Sequence, residues 1–146
     1  MGEAVAAAFA TMTKPQGEAS ATLAPHARAM TDVTGFGLLG HLIEVLQASG
    51  CGATLHGADI PLMDGAAELA AAGYASSIAP ANRDALSGRV TGQPSPLLYD
   101  PQTGGGLLAV VPADLVGFLL TRLRRSDPQA AQIGYMTAGP PNVVVM

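Results

Sequence analysis

Residues 31–41 read TDVTGFGLLGH: one carboxylate, two threonines and two glycines stand directly before an apolar run. From Gly37 onward Leu38, Leu39, Leu42, Ile43 and Leu46 recur at helical spacing, and Gly50 stands where a left-handed C-terminal cap belongs. The spacing predicts a helix beginning at Gly37. Gly35 and Gly37 permit close backbone approach and unusual dihedrals where that helix starts. Exposed amides and the helix dipole favour an anion at such an end, and Asp32 offers the hard oxygen by which Mg2+ is usually held beside phosphates. A metal–nucleotide site is therefore one reading. The other is that Asp32 and Thr34 merely cap the helix, and residue chemistry alone leaves both open.

Working outward, "MGEAVAAAFATMTK" reads as a helix; it carries Glu3 and lacks the basic segment of a signal peptide. "KPQGEASATLAPHARAM" suits a connection with a short strand or turn. After Gly50, "GATLHGADI" predicts a strand and turn, and a short helix follows at about 64–72, stopped by Gly73. The turn residues of "YASSIAPANRDALSGRVTGQPSP" predict a long irregular segment, of the kind that is often functional. "LLYDPQTGGGLLAVV" gives apolar runs on either side of a glycine-rich turn, expected to join two strands. "PADLVGFLLTRLRRS" predicts a helix with Leu115, Phe118, Leu119 and Leu123 on one face and a basic last turn. "QIGYM" and "VVVM" flank "TAGPPN" as an expected terminal hairpin. Strands alternating with three or four helices indicate a layered α/β or α+β fold, and 146 residues suffice for a single domain over residues 1–146.

Composition excludes several classes of function. Seven basic against eleven acidic residues give a net charge of -4, so no basic field attracts nucleic acid or anionic lipid, and neither is an expected partner. No apolar run approaches the roughly 20 residues that span a bilayer. The lone Cys51 forms no intramolecular disulfide and fits a cytoplasmic location; it reads as a small half-buried hydrophobe after a helix.

The second constellation is "DPQTGGG", residues 100–106, where Asp100, Thr103 and three glycines could line a phosphate or pack against another backbone. A tight turn explains them equally. There is no Gly-Lys-Ser/Thr ending and no dinucleotide spacing, so an ordinary nucleotide-binding fold is disfavoured. His41 reads as structural beside Glu44, His26 and His56 as isolated, and Asn82, Arg83 and Asp84 as a solvated loop.

Together, "AMTDVTGFGLLGH" and "DPQTGGGLL", in this order and separation, resemble the C-terminal domain of the selenophosphate synthetase (selenide, water dikinase) family. That family belongs to the aminoimidazole ribonucleotide synthetase superfamily. The resemblance runs from about Ala4 through the expected terminal hairpin, and its two motifs are the diagnostic parts. It implies a mixed sheet covered by helices. It also implies a reaction in which ATP, selenide and water give selenophosphate, AMP and orthophosphate, with Mg2+ clustered by aspartates around the phosphates. Asp32 matches the one metal-binding aspartate contributed from the C-terminal half. Gly35, Gly37, Thr103 and Gly105 match motif positions as walls of the cofactor site, and no catalytic residue matches.

The family's reactive cysteine or selenocysteine, its lysine partner and the remaining aspartates belong to an N-terminal half that has no counterpart here, and Cys51 lies too far along the chain to be that nucleophile. The resemblance therefore implies that this chain partners an N-terminal domain, is inactive alone, and belongs to a full enzyme that is a homodimer. Two departures stand out: Gly104 replaces the serine common in "DPQTSGG", and Asn82 precedes Arg83 where the family often shows an Arg-Asn pair. The competing expectations are a docking module that keeps the fold without catalysis, and the C-terminal domain of another ATP-dependent synthetase of the superfamily.

Overall fold

The computed structural model describes residues 2–146; Met1, first residue of the expected N-terminal helix, lies outside them. The elements in order are α1 (Gly2–Met12), α2 (Gly17–Leu23), β1 (Ala29–Asp32), α3 (Gly37–Ser49), β2 (Gly52–Leu55), α4 (Ala66–Ala71), α5 (Ala79–Ala85), β3 (Val90–Gly92), β4 (Leu107–Val110), α6 (Val116–Leu123), β5 (Gly134–Thr137) and β6 (Val143–Val145). Short 3-10 turns occupy Gly57–Asp59, Pro96–Tyr99 and Ala113–Leu115.

The helix that begins at Gly37 organises the rest. Leu39, Leu42, Ile43 and Leu46 are its buried apolar face, and Gly50 ends it in the left-handed region at φ 65°, its N–H returning to the Leu46 carbonyl. That face packs with Ala53 and Leu55 of β2, Val143 and Val145 of β6, and Leu98 and Tyr99 of the 96–99 turn in one core. Leu39, Leu46 and Val143 are fully buried, each stabilising the fold by roughly 1.5–3 kcal/mol relative to exposure. Leu23 and Leu119 are buried separately, on α2 and α6, which pack against each other.

A four-stranded sheet in the order β3-β6-β2-β5 is mixed, with β2 antiparallel to β5 and parallel to β6, and β3 parallel to β6. A separate two-stranded antiparallel ladder joins β1 to β4. The expected mixed sheet with helices is present.

Several local expectations fail for identifiable reasons. The terminal strands do not form a hairpin, because β5 and β6 lie on opposite edges of β2. The connecting loop passes over the start of β2, where a Cβ on Gly52 would lie 3.0 Å from the Pro140 carbonyl oxygen and 3.1 Å from that of Asn142. Glycine at 52 leaves the room that crossing needs. The expected irregular segment holds α5, with proline in its first turn, and the edge strand β3. The apolar run before the glycine-rich turn is a 3-10 turn started by Ser95, whose Oγ accepts the Leu97 N–H at 3.3 Å, so no strand precedes that turn. α2 was expected as a connection; its composition hides an amphipathic pattern because Leu23 is its one buried residue. Phe118 does not share the buried face of α6: it is 51% exposed, with the His26 ring edge-on at 6.3 Å and the Arg122 guanidinium 5.6 Å from its centroid.

Candidate functional site

The two glycine-bearing stretches, nearly seventy residues apart in sequence, are one structure. Asp32 ends β1 opposite Leu107 of β4, and the ladder continues one step further as the Val33 N–H donates to the Gly106 carbonyl at 2.9 Å. The Thr34 carbonyl then accepts two amides, from Gly37 at 3.1 Å and from Gln102 at 2.9 Å. Gln16 reaches in from the start of α2 to donate to the Gly105 carbonyl at 3.2 Å. Backbone stitched this tightly excludes side chains. A Cβ on Gly105 would collide with the Val33 carbonyl. Gly37 has φ +70°, and a Cβ there would lie 2.7 Å from the Tyr99 carbonyl carbon and 2.9 Å from the Leu98 oxygen. Gly104 has φ +64°, and a Cβ there would lie 2.9 Å from the Met12 carbonyl oxygen. Only glycine adopts such left-handed positions cheaply.

Gly35 differs from the reading given to it on sequence: its φ is not positive and nothing lies within 4 Å of the space a Cβ would take. Thr103 is exposed on the 100–106 loop. Of the five residues singled out, Asp32, Gly35 and Thr103 are therefore solvent-facing, while Gly37 and Gly105 are the close-approach points that hold the two stretches together.

The capping alternative fails. Phe36 occupies the N-cap of α3 with no side-chain cap bond, Asp32 belongs to β1, and the Thr34 hydroxyl pairs with His41 instead. Among the described residues the Asp32 carboxylate makes no hydrogen bond or ion pair. It is an exposed, uncommitted oxygen donor at the rim of the ledge that the two stretches form. Among the described residues no group of three or more His, Cys, Asp or Glu is gathered for a metal. One carboxylate still fits Mg2+, which usually keeps several waters and takes its remaining ligands from phosphate and one or two carboxylates.

Asn82 was expected in a solvated loop; it sits on α5 and joins the ledge to the core. Its Nδ2 donates to the Gly35 carbonyl and to the Tyr99 carbonyl, both at 2.9 Å. No sequence signal marked it, because its partners are main-chain atoms 47 and 17 residues away. Asn82→Ala is expected to cost about 1–2 kcal/mol by leaving two carbonyls without this donor, and Asn82→Asp, which cannot donate, at least as much. Thermal unfolding of the two variants beside the parent chain checks this; an unchanged midpoint would show that the bridge carries no stability. Arg83 and Asp84 beside it are exposed, as expected. Burial pushes the Tyr99 phenol above its ordinary range, and the Arg83 charge pulls it partly back.

His41, read as structural, has both ring nitrogens engaged: Thr34 Oγ1 lies 3.1 Å from Nε2, and Glu44 Oε2 lies 3.1 Å from Nδ1. The i, i+3 spacing of His41 and Glu44 was visible in the sequence; the Thr34 contact across the helix start was not. Cys51 is half-buried against the core, and His56, read as isolated, has its Nδ1 3.3 Å from Asp59 Oδ2 and its ring edge-on to Tyr135 at 5.8 Å.

The family model described as "AIR synthase related protein, C-terminal domain" matches residues 2–146. Among curated proteins, the chain is 37% identical to a selenide, water dikinase of Nitratidesulfovibrio vulgaris, over 80% of this chain and 36% of that protein. It is 37% identical to that of Myxococcus xanthus, over 93% and 40%, and 36% identical to that of Paraburkholderia xenovorans, over 98% and 42%. The chain thus spans about two-fifths of these relatives or less. Among solved structures, the hydrogenase maturation protein HypE shares the fold at a TM-score of 0.55 and 19% identity, over 82% of this chain and 34% of HypE. A second HypE structure, in complex with ATP, matches equally well over 32% of its length.

Proposed function

The chain belongs to the AIR synthase related family, as its C-terminal domain, and from that premise we propose that it is the C-terminal part of a selenide, water dikinase. In that enzyme ATP, selenide and water would give selenophosphate, AMP and orthophosphate. Similarity to three selenide, water dikinases over most of the chain supports the assignment, and a relative of the same fold that binds ATP is in keeping with it.

The observation that carries the reading is the ledge itself. Two stretches distant in sequence are fastened backbone to backbone, and their shared rim presents the Asp32 carboxylate with no side-chain partner among the described residues. Asp32 would supply one oxygen to Mg2+, whose charge would offset that of the transferring phosphates. Gly35 and Thr103 would face the nucleotide, and Gly37 and Gly105 would let main chain stand where side chains cannot. The remaining ligands and the reactive groups would come from the N-terminal domain that the resemblance implies, this chain covering only 36–42% of these relatives. Alone, this chain would complete a site rather than form one.

The test is a chimera in which this chain replaces the matched two-fifths of the Myxococcus xanthus relative, assayed for AMP formation that depends on selenide. AMP from the chimera, and none from the isolated chain, is the expected result. A folded, stable chimera that hydrolyses no ATP would favour a docking module. ATP turnover indifferent to selenide would favour another synthetase of the superfamily.

A further inference from the structure

Two residues after Asp32 begins a line of three polar side chains that the proposed chemistry leaves unused. Thr34 Oγ1 is 3.1 Å from His41 Nε2, and His41 Nδ1 is 3.1 Å from Glu44 Oε2. The His41 side chain is 9% exposed and that of Glu44 58%. Phe36 lies over the imidazole, ring centroids 5.4 Å apart. Gly40 makes this possible, since a Cβ there would lie 2.5 Å from the Phe36 Cβ.

The donor and acceptor roles in this line follow from its outer end. An ionised carboxylate only accepts, so in neutral His41 the proton sits on Nδ1 and Nε2 is left as an acceptor. The Thr34 hydroxyl must then donate to Nε2. Its single proton is spent, and only oxygen lone pairs remain to face outward. Val33 is buried and its amide extends the β1–β4 ladder one residue past β1, with Asp32 exposed before it and Thr34 half-buried after it. The hydroxyl is not needed to hold the turn together, because the Thr34 carbonyl already takes both the Gly37 and Gln102 amides.

We propose that Thr34 is a further residue of the ledge, whose hydroxyl is held as an acceptor two residues along the chain from Asp32, with His41 and Glu44 as its positioning residues. Resting on the function proposed above, its partner would be a water on the Mg2+ that Asp32 would bind, since Mg2+ gives up its water shell reluctantly. A hydroxyl that can only accept keeps such a water oriented; one free to rotate does not.

Two measurements test this. The first needs no activity: nitrogen-15 spectra of the imidazole in the isolated chain, above the ordinary histidine titration range, should show His41 protonated at Nδ1 alone, and Glu44→Gln should weaken that preference. A proton on Nε2 in the parent chain overturns the proposal. The second uses the chimera. Thr34→Val keeps the shape and the carbonyl bonds, and should lower turnover and raise the Mg2+ needed for half-maximal rate, each by roughly 10–100-fold, the usual cost of removing a group that orients metal ligands. Thr34→Ser should restore most of both. His41→Gln, which keeps an acceptor, should be milder than His41→Leu. Thr34→Val equal to the parent chimera overturns the proposal. An unsubstituted chimera that makes no AMP defeats the functional reading, and with it the water as partner, whereas the spectrum alone decides how the hydroxyl is held.

Discussion

Gly37→Ala is expected to remove about 2–5 kcal/mol of stability, and Gly35→Ala almost none, although the two glycines stand two residues apart in one motif. At Gly37 two costs coincide. Its φ of +70° lies in the left-handed region, which costs a residue with a Cβ roughly 1–2 kcal/mol. The added methyl would also meet the Tyr99 carbonyl carbon at 2.7 Å and the Leu98 and Asp100 oxygens at 2.9 and 3.0 Å. These are main-chain atoms, held by the 96–99 turn whose Leu98 and Tyr99 are in the core, so relief requires the turn to shift; overpacking of this kind costs about 1–3 kcal/mol. Against a total stability on the order of 5–15 kcal/mol, that is a large share. Gly35 has ordinary φ and open space around it; alanine there narrows the unfolded ensemble and should be neutral or slightly stabilising. Denaturant unfolding of both variants reads the difference directly. Equal midpoints would mean that α3 does not start against the 98–100 backbone. If Gly35 also faces the nucleotide, Gly35→Ala should slow the chimera while leaving its stability intact.

The elements legible in the sequence were those whose signal is local. The core helix announced itself by the spacing of Leu39, Leu42, Ile43 and Leu46 and by Gly50, and its cap is as expected. What was not legible depends on partners far along the chain. Val143–Val145 reads as one arm of a hairpin until the loop before it is seen to pass over Gly52. The short α2 is fixed by its packing with α6 more than by its own pattern. In the site, both motifs were visible as glycine-rich stretches, but sequence could not say that they touch. Nor could it separate a glycine required by geometry, such as Gly105, from one that is free, such as Gly35. Asn82 illustrates the general difficulty: its role is two bonds to carbonyl groups, and every residue has a carbonyl.

Asp32→Asn should leave the fold untouched and cripple the assembled enzyme. The stability half of this prediction follows from exposure and the absence of any side-chain partner among the described residues; surface changes of this kind usually stay within about 0.5 kcal/mol. The activity half follows from charge. A carboxylate on Mg2+ contributes an anionic ligand where the amide offers only a neutral oxygen, and loss of about 3–4 kcal/mol of transition-state stabilisation corresponds to a rate lower by a factor on the order of 10²–10³. Rate loss alone would not identify a ligand, because any residue near the phosphates could produce it. The Mg2+ dependence does. If Asp32 holds the ion, the concentration giving half-maximal AMP formation in the chimera must rise in Asp32→Asn, and excess Mg2+ must recover part of the rate. A slow variant with an unchanged Mg2+ requirement would move Asp32 from metal binding to the electrostatics of substrate approach. A variant as fast as the parent would remove it from the site, leaving the ledge as a surface that supports the other domain.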